Sequence, residues 1–226
     1  VAEDAVGTLR ALVIPVTPLQ QNCLLIWDKA AERGAVIDPG GDVERILAAI
    51  DAQDARVDKI VLTHGHMDHA GGAAELRDAL SARGAGPVPI EGPDRRDAFL
   101  LDGLEETARS FGFAARNVTP DRWLAEGETV EIAGAPFSVL HCPGHTPGSL
   151  VYVSVKLRLA LVGDVLFRGS VGRTDFAYGD SAALIASIHD KLLPLGDEIA
   201  FVCGHGPGST FGAERATNPF LRRRTR

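Results

Sequence analysis

Short apolar runs separated by turn-forming residues open the chain: Leu9 to Val16, Leu24 to Trp27 and Ala35 to Ile37 predict strands of a sheet with one or both faces covered. After Gly40-Gly41-Asp42 the period changes. Val43, Ile46, Leu47 and Ile50 recur at helical spacing, and Asp42 is placed to cap the first-turn amides of an amphipathic helix. Lys59-Ile60-Val61-Leu62 reads as a buried strand, and a helix from about Ala73 to Arg83 comes after it. The more polar stretch from Pro87 to about Trp123 holds one predicted helix, Ala98 to Phe111. Strands return at Thr129 to Ile132, Phe137 to His141, Leu150 to Val155 and Arg158 to Val162, with Lys156-Leu157 as a tight hairpin link. A further helix, Ser181 to about Leu192, turns Leu184, Ile185, Ile188 and Leu192 inward, and Ile199 to Val202 forms a last strand. Strand followed by helix thus occurs twice, without sequence repeat, low-complexity stretch or linker. The order predicts one domain over residues 1–226, α+β in class, with two packed sheets and helices on the outside.

Composition narrows the class. At 226 residues and 45% hydrophobic content the chain can cover a core on several faces. A net charge of −7 disfavours a nucleic-acid partner. The opening residues 1–8 are acidic and lack the cationic, apolar pattern of an export signal, and no apolar run reaches membrane-spanning length, so the expected location is the cytoplasm. Cys23, Cys142 and Cys203 do not make a disulfide framework, which fits a reducing compartment. The oligomeric state is left open.

The chemistry concentrates in Thr63-His64-Gly65-His66-Met67-Asp68-His69-Ala70-Gly71-Gly72, in the link between the strand ending at Leu62 and the next helix. Three imidazoles and a carboxylate this dense call for a metal ion, and further ligands are expected from elsewhere in the chain. His145 in Cys142-Pro143-Gly144-His145-Thr146-Pro147-Gly148, Asp164 in Val162-Gly163-Asp164 and His205 in Cys203-Gly204-His205 are the candidates, each with a glycine beside the polar residue. His64 and His66, two apart in an extended loop, point the same way, while Asp68 and His69 can turn to a neighbouring position. One loop can then serve two ions. Histidine and carboxylate ligands that leave room for water suit a catalytic site rather than a closed structural one, and Asp164 could bridge ions held about 3.5 to 4 Å apart.

The His-x-His-x-Asp-His cluster, Gly144-His145-Thr146-Pro147-Gly148, Gly163-Asp164 and Gly204-His205 resemble, in order, the metal motifs of the metallo-β-lactamase fold superfamily. Gln21-Asn22-Cys23, Asp38-Pro39-Gly40-Gly41, Gly172-Arg173-Thr174-Asp175-Phe176 and Asn218-Pro219-Phe220-Leu221 are similar, more narrowly, to the compact bacterial glyoxalase II type of hydrolase. The resemblance implies a four-layer αββα sandwich and two divalent ions, zinc first, with iron or manganese as alternatives. One ion takes His64, His66 and His145, the other Asp68, His69 and His205, and Asp164 is shared. It further implies hydrolysis of a thioester, a 2-hydroxyacylglutathione such as S-lactoylglutathione, by hydroxide formed from coordinated water, whose pKa drops from about 15.7 to about 7. Asp68 would also orient that nucleophile.

Other residues carry quieter readings. Arg173, with Arg168 nearby, is the candidate for a substrate carboxylate, against a structural ion pair with Asp175. Cys142 reads as a small buried thiol rather than a nucleophile, His189 as an ordinary helix residue, and His141 as a neighbour of the site. Glycines 40, 41, 71, 72, 144, 148, 163 and 204 read as turn formers and points of close approach, and Arg222-Arg223-Arg224 as a solvated tail. The competing reading is a mononuclear iron persulfide dioxygenase, also resembled through Gly172 to Phe176, with His64, His145 and Asp164 as a two-histidine, one-carboxylate face. The β-lactamases proper lack an aspartate at the position of Asp164. Full-length glyoxalase II enzymes carry a C-terminal helical segment that binds glutathione, whereas little chain follows His205, so the thiol carrier is open.

Overall fold

The computed structural model describes residues 8–84 and 86–222. Residues 1–7 of the acidic opening, and Arg223 and Arg224 of the arginine run, lie outside the described residues.

The architecture is α+β, four layers in the order αββα. The first sheet is β1 (Leu9–Val16), β2 (Gln21–Asp28), β3 (Arg33–Ile37), β4 (Lys59–Val61) and β5 (Ile90–Glu91) in that order, antiparallel through β3 and parallel from β3 to β5. The second contains β6 (Thr129–Ile132), β7 (Ala135–His141), β8 (Leu150–Ser154), β9 (Leu159–Leu161), β12 (Ala200–Val202) and β13 (Ser209–Thr210), in the order β13-β12-β9-β8-β7-β6. A small ribbon, β10 (Leu166–Phe167) with β11 (Ser170–Val171), lies between.

Strand periodicity builds the layers. In β2, Cys23, Leu25 and Trp27 join a core with Val43, Ile46 and Ile50 of α1 (Val43–Gln53) and Leu76 and Leu80 of α3 (Ala73–Ala82). Leu24 and Ile26 face the other way and share the inter-sheet core with Phe137, Val139, Leu150 and Tyr152. In β8, Val151 and Val153 meet Leu184 of α6 (Ser181–Ser187), Ile188, Leu192 and Phe211 of α7 (Phe211–Thr217). Because both faces of the central strands are covered, their sequences read as continuous apolar runs rather than alternations. The fully buried Tyr152 meets its hydroxyl's need by donating to Leu62 O at 2.6 Å.

Local detail departs from the periodicity in several places. Asp42 does not cap α1: its carboxylate accepts from Thr17 N at 2.8 Å, because its own backbone is left-handed (φ 48) and turns the side chain towards β1. The single helix expected over Ala98 to Phe111 is two, α4 (Ala98–Leu101) and α5 (Leu104–Ser110), broken at Asp102-Gly103, where glycine favours interruption. The helix expected to Leu192 is α-helical only to Ser187 and continues as a π turn, Ile188–Leu192, then a tight turn, Leu193–Leu195. Pro194 has no amide to donate, so the regular ladder cannot run through it. The Lys156-Leu157 link is a tight turn, closed by Arg158 N donating to Val155 O at 3.1 Å. No helix among the described residues is long and apolar enough to cross a membrane.

Since β7–β8 and β8–β9 are antiparallel and β9–β12 parallel, β7, β9 and β12 all run one way. Their C-terminal ends meet that of β4 at a common edge between the sheets. Leu150 N donates to Thr63 O at 2.8 Å and Asn22 N to Gly204 O at 2.7 Å, tying the two sheets together at that edge.

Candidate metal centre

Every candidate ligand projects from this edge. His64 and His66 follow β4; Asp68 and His69 lie in the single-turn helix α2 (Met67–Ala70); His145 sits between β7 and β8, Asp164 after β9 and His205 after β12. His64, Asp68, His69, His145 and Asp164 are buried, and His66 and His205 half-buried at the mouth. Close approach demands glycine here: a Cβ on Gly204 would stand 2.5 Å from His69 Cε1 and inside the Asp164 carboxylate.

Besides Asp38, His64 and His69, which come together behind the site, two groups of three converge on it. His66 Nδ1 lies 3.1 Å from His64 Nε2 and 3.0 Å from His145 Nε2. Asp68, His69 and His205 form the second group, with His205 Nε2 3.2 Å from Asp68 Oδ2. Asp164 stands between them, Oδ1 3.3 Å from His69 Nε2 and Oδ2 3.5 Å from His145 Nε2 and 3.6 Å from His205 Nε2.

Hydrogen bonding behind the rings decides what the inward nitrogens are. Asp38 can only accept, so the Thr63 hydroxyl donates to it at 2.6 Å and must itself accept from His64 Nδ1 at 3.0 Å. His69 Nδ1 donates to Asp38 Oδ2 at 2.9 Å, and His145 Nδ1 to Arg173 O at 2.8 Å. Neutral His64, His69 and His145 therefore turn Nε2 lone pairs inward, the form that ligates metals. With His66 Nε2 donating to Tyr178 Oη at 2.9 Å, its Nδ1 also presents a lone pair; lone pairs about 3 Å apart repel each other unless a cation lies between them, and tetrahedral coordination at about 2.05 Å separates two nitrogens by roughly 3.3 Å. Asp164 Oδ1 and His69 Nε2, both buried, find no hydrogen-bond partner among the described residues. The donor set thus fits a pair of divalent ions.

In the first group the electrostatics agree with neutral ligands. Burial, reinforced by neighbouring imidazoles, holds His64 well below the usual histidine range and His66 at about 3. Burial also lowers His145. Burial alone would raise the carboxyl of Asp164, yet His69, His145 and His205 pull it well below the carboxylate range. In the second group the shifts run the other way: burial is outweighed at His69 by Asp164, Asp38 and Asp68 and at His205 by Asp68 and Asp164, so both rings are raised and would give up a proton to bind a metal. The negative charge gathered there suits a cation.

Several participants escaped sequence reasoning. Asp38 appeared only as part of a motif; its carboxylate accepts from Thr63 N at 2.7 Å besides Thr63 Oγ1 and His69, so it lies behind the ligands. Asp97, fully buried, joins the two loops of the first group by accepting from Gly65 N at 2.9 Å, Thr146 Oγ1 at 2.7 Å and Gly148 N at 2.6 Å. Tyr178 OH is 2.9 Å from His66 Nε2. No local pattern marks Asp97 or Tyr178. His141 Nε2 donates to Pro147 O at 2.8 Å, bracing the turn that carries His145 without entering the site. His189 lies half-buried in the π turn, away from these ligands. Burial pushes the Cys142 thiol up to about 12 and that of Cys203 to about 11, so neither is a thiolate nucleophile at neutral pH.

Arg173 is already engaged. Its guanidinium holds Asp175 through two bonds of 2.7 and 2.8 Å and lies 4.6 Å above the Phe176 ring. A substrate carboxylate would have to displace Asp175 to reach it. Arg168, exposed on the ribbon turn, has no ion-pair partner among the described residues.

Residues 16–205 match the family model of the metallo-beta-lactamase superfamily. The hydroxyacylglutathione hydrolase GloC of Haemophilus influenzae is 45% identical over 211 residues, covering 92% of this chain and 96% of that protein. Among solved structures, the BLEG-1 B3 metallo-beta-lactamase superposes with a TM-score of 0.83 at 35% identity, over 94% of this chain and 99% of that one. TTHA1623 in a di-iron-bound form gives a TM-score of 0.81 at 38% identity, over 93% of this chain and all (100%) of that one.

Proposed function

The chain belongs to the metallo-beta-lactamase superfamily and is a metal-dependent hydrolase, and on that premise we propose that it cleaves thioesters, 2-hydroxyacylglutathiones such as S-lactoylglutathione among them. The observation that carries this reading is the pair of three-residue groups with Asp164 between them. His64, His66 and His145 would hold one divalent ion, Asp68, His69 and His205 the other, and Asp164 both. Zinc suits the donor set; the di-iron-bound relative supports iron as an alternative, with manganese a third. When bound, such ions lower the pKa of water from about 15.7 to about 7 and stabilise a developing oxyanion.

The chain's own residues supply the rest. Asp68, held ionised by His69 and His205 against its burial, would accept a hydrogen bond from the attacking water and so fix its direction. Asp38, Thr63 and the Arg173 carbonyl lock the imidazoles in the ligating form. The thioester reading draws its support from the Haemophilus influenzae relative. A carboxylate of the thiol carrier could pair with the unpaired Arg168, or with Arg173 by exchange for Asp175. The three free, buried cysteines fit a reducing compartment, the cytoplasm.

The test couples elemental analysis of freshly purified protein to loss of S-lactoylglutathione absorbance and to oxygen uptake with glutathione persulfide. Near two metals per chain, thioester loss and no oxygen uptake are expected. One iron per chain with oxygen consumption would replace the hydrolase by a persulfide dioxygenase.

A further inference from the structure

The first group of ligands comes from two loops, and the gap between those loops decides whether three nitrogens can meet on one ion. His64 and His66 flank Gly65, and Gly148 closes the turn that carries His145. Leu150 N, donating to Thr63 O, joins the loops at their base. Further out Asp97 stands between them, delivered by the short helical turn Arg95–Asp97 that leads into α4. Its Oδ2 accepts from Gly65 N at 2.9 Å and from Thr146 Oγ1 at 2.7 Å, and its Oδ1 accepts from Gly148 N at 2.6 Å. The approach is close on both sides. A Cβ on Gly148 would stand 2.6 Å from Asp97 Cγ, and one on Gly65 would stand 3.2 Å from Asp97 Cβ and 2.8 Å from Leu100 Cβ.

Asp97 is fully buried, and its carboxylate bonds to uncharged donors, two backbone amides and a hydroxyl. A buried charge without a cationic partner is costly, and filling the space would not require one. What a carboxylate can do here, and its neutral isostere cannot, is accept at both oxygens. An asparagine amide has one oxygen. Aimed at Gly148 N, it sets its NH2 against Gly65 N; aimed at Gly65 N, it sets its NH2 against Gly148 N. Asparagine at this position therefore holds one loop and opposes the other, whereas aspartate holds both at once.

We propose that Asp97 is a positioning residue for the ion held by His64, His66 and His145: by fixing the gap between their two loops it sets the affinity of that position and not of the other. The inference rests on the two-ion reading and adds which residue governs one of the two positions. The second group is held by different contacts. Asp38 lies behind His69, and Asn22 Nδ2 donates to Cys203 O at 3.0 Å and to Gly206 O at 2.8 Å, on either side of His205. None of those contacts involves Asp97.

Chelator competition with zinc reads the positions separately once one of them is removed. On the His205→Ala protein, which keeps the first group, Asp97→Asn should weaken the remaining ion about 10–100-fold, the usual effect of a change behind ligands. On the His66→Ala protein, which keeps the second group, the same change should leave zinc affinity as it was. Cobalt(II) in place of zinc gives a spectroscopic readout: Asp97→Asn should shift the visible absorption bands in the His205→Ala background and not in the other. Should Asp97→Asn fail to fold, Thr146→Val, which removes one of the three bonds and keeps the carboxylate, should weaken the ion of the His205→Ala protein several-fold. Unchanged affinity in the His205→Ala background, or equal losses in both backgrounds as a general loosening of the fold would give, overturns the role of Asp97 while the two-ion reading stands. A wild-type protein that takes up only one zinc ion removes that reading and the inference with it.

Discussion

Asp38→Asn separates charge and proton direction from shape more cleanly than any other change near the metal centre. The replacement is isosteric, and asparagine tolerates the left-handed backbone that Asp38 adopts (φ 51), so backbone strain is not altered. Thr63 N must still donate to Oδ1, which fixes the new amide oxygen there and puts the new NH2 at Oδ2. That NH2 faces His69 Nδ1, which must now accept; the ring proton moves to Nε2, the atom 3.3 Å from Asp164 and needed for metal. Flipping the amide instead sets two donors against each other at Thr63 N, at a cost of about 1–3 kcal/mol for a buried unsatisfied amide. Either the second position loses the Nε2 lone pair of His69, or the flipped amide keeps it and the fold carries that cost. Changes behind ligands typically weaken metal affinity 10–100-fold, corresponding to about 1.4–2.7 kcal/mol. The first group is touched as well: Thr63 Oγ1 loses its acceptor at Oδ2, and its proton can turn to His64 Nδ1, which favours the non-ligating tautomer of that ring too. The assay is competitive chelator titration with elemental analysis after dialysis. Wild type should retain near two ions and Asp38→Asn fewer, with weakened affinity. Two ions held with wild-type affinity would refute the tautomer argument.

Three other outcomes follow from the same geometry. Asp164→Ala should abolish both metal retention and hydrolysis, since both groups lose the carboxylate between them; full metal content with retained activity would sink the shared-ligand assignment. Arg168→Ala should raise KM for glutathione thioesters about ten-fold at similar kcat, whereas Arg173→Ala, whose guanidinium is held by Asp175, should change KM by less than about two-fold; the reverse order would return the carboxylate to Arg173. Burial raises the Asp97 carboxyl to about 6, above the unfolded value of about 3.9, so its contribution to stability is full below about pH 3.9 and is lost as pH rises through about 6, by at most about 3 kcal/mol. Denaturant melts of metal-free protein across that range should show wild type losing stability relative to Asp97→Asn as pH rises, and a relative gain would contradict it.

Much was legible in the chain itself. The double-sided burial of the central strands is written as unbroken apolar runs in Leu24 to Trp27 and Lys59 to Leu62, and the helical stripe of Val43, Ile46 and Ile50 marks a surface layer. The seven candidate ligands could be picked out by residue type and neighbouring glycines, and the fold brings them together. What local pattern could not carry was any partner supplied from afar. Ribbon strands of two residues, such as β10 and β11, leave no period to read. Asp42 has the residue type of a helix cap, but the competing donor, Thr17 N, is 25 positions away. Arg173 and Arg168 look equivalent along the chain, and only the fold shows one paired and the other free. Asp97 and Tyr178 reach the site across separations of 32 and 112 residues, where sequence holds no spacing to recognise. Residue chemistry is a local property, so the sequence determined what could bind a metal. Proton direction, charge pairing and the shape of the mouth depend on groups that meet only when the two sheets close, and the tertiary structure alone decided them.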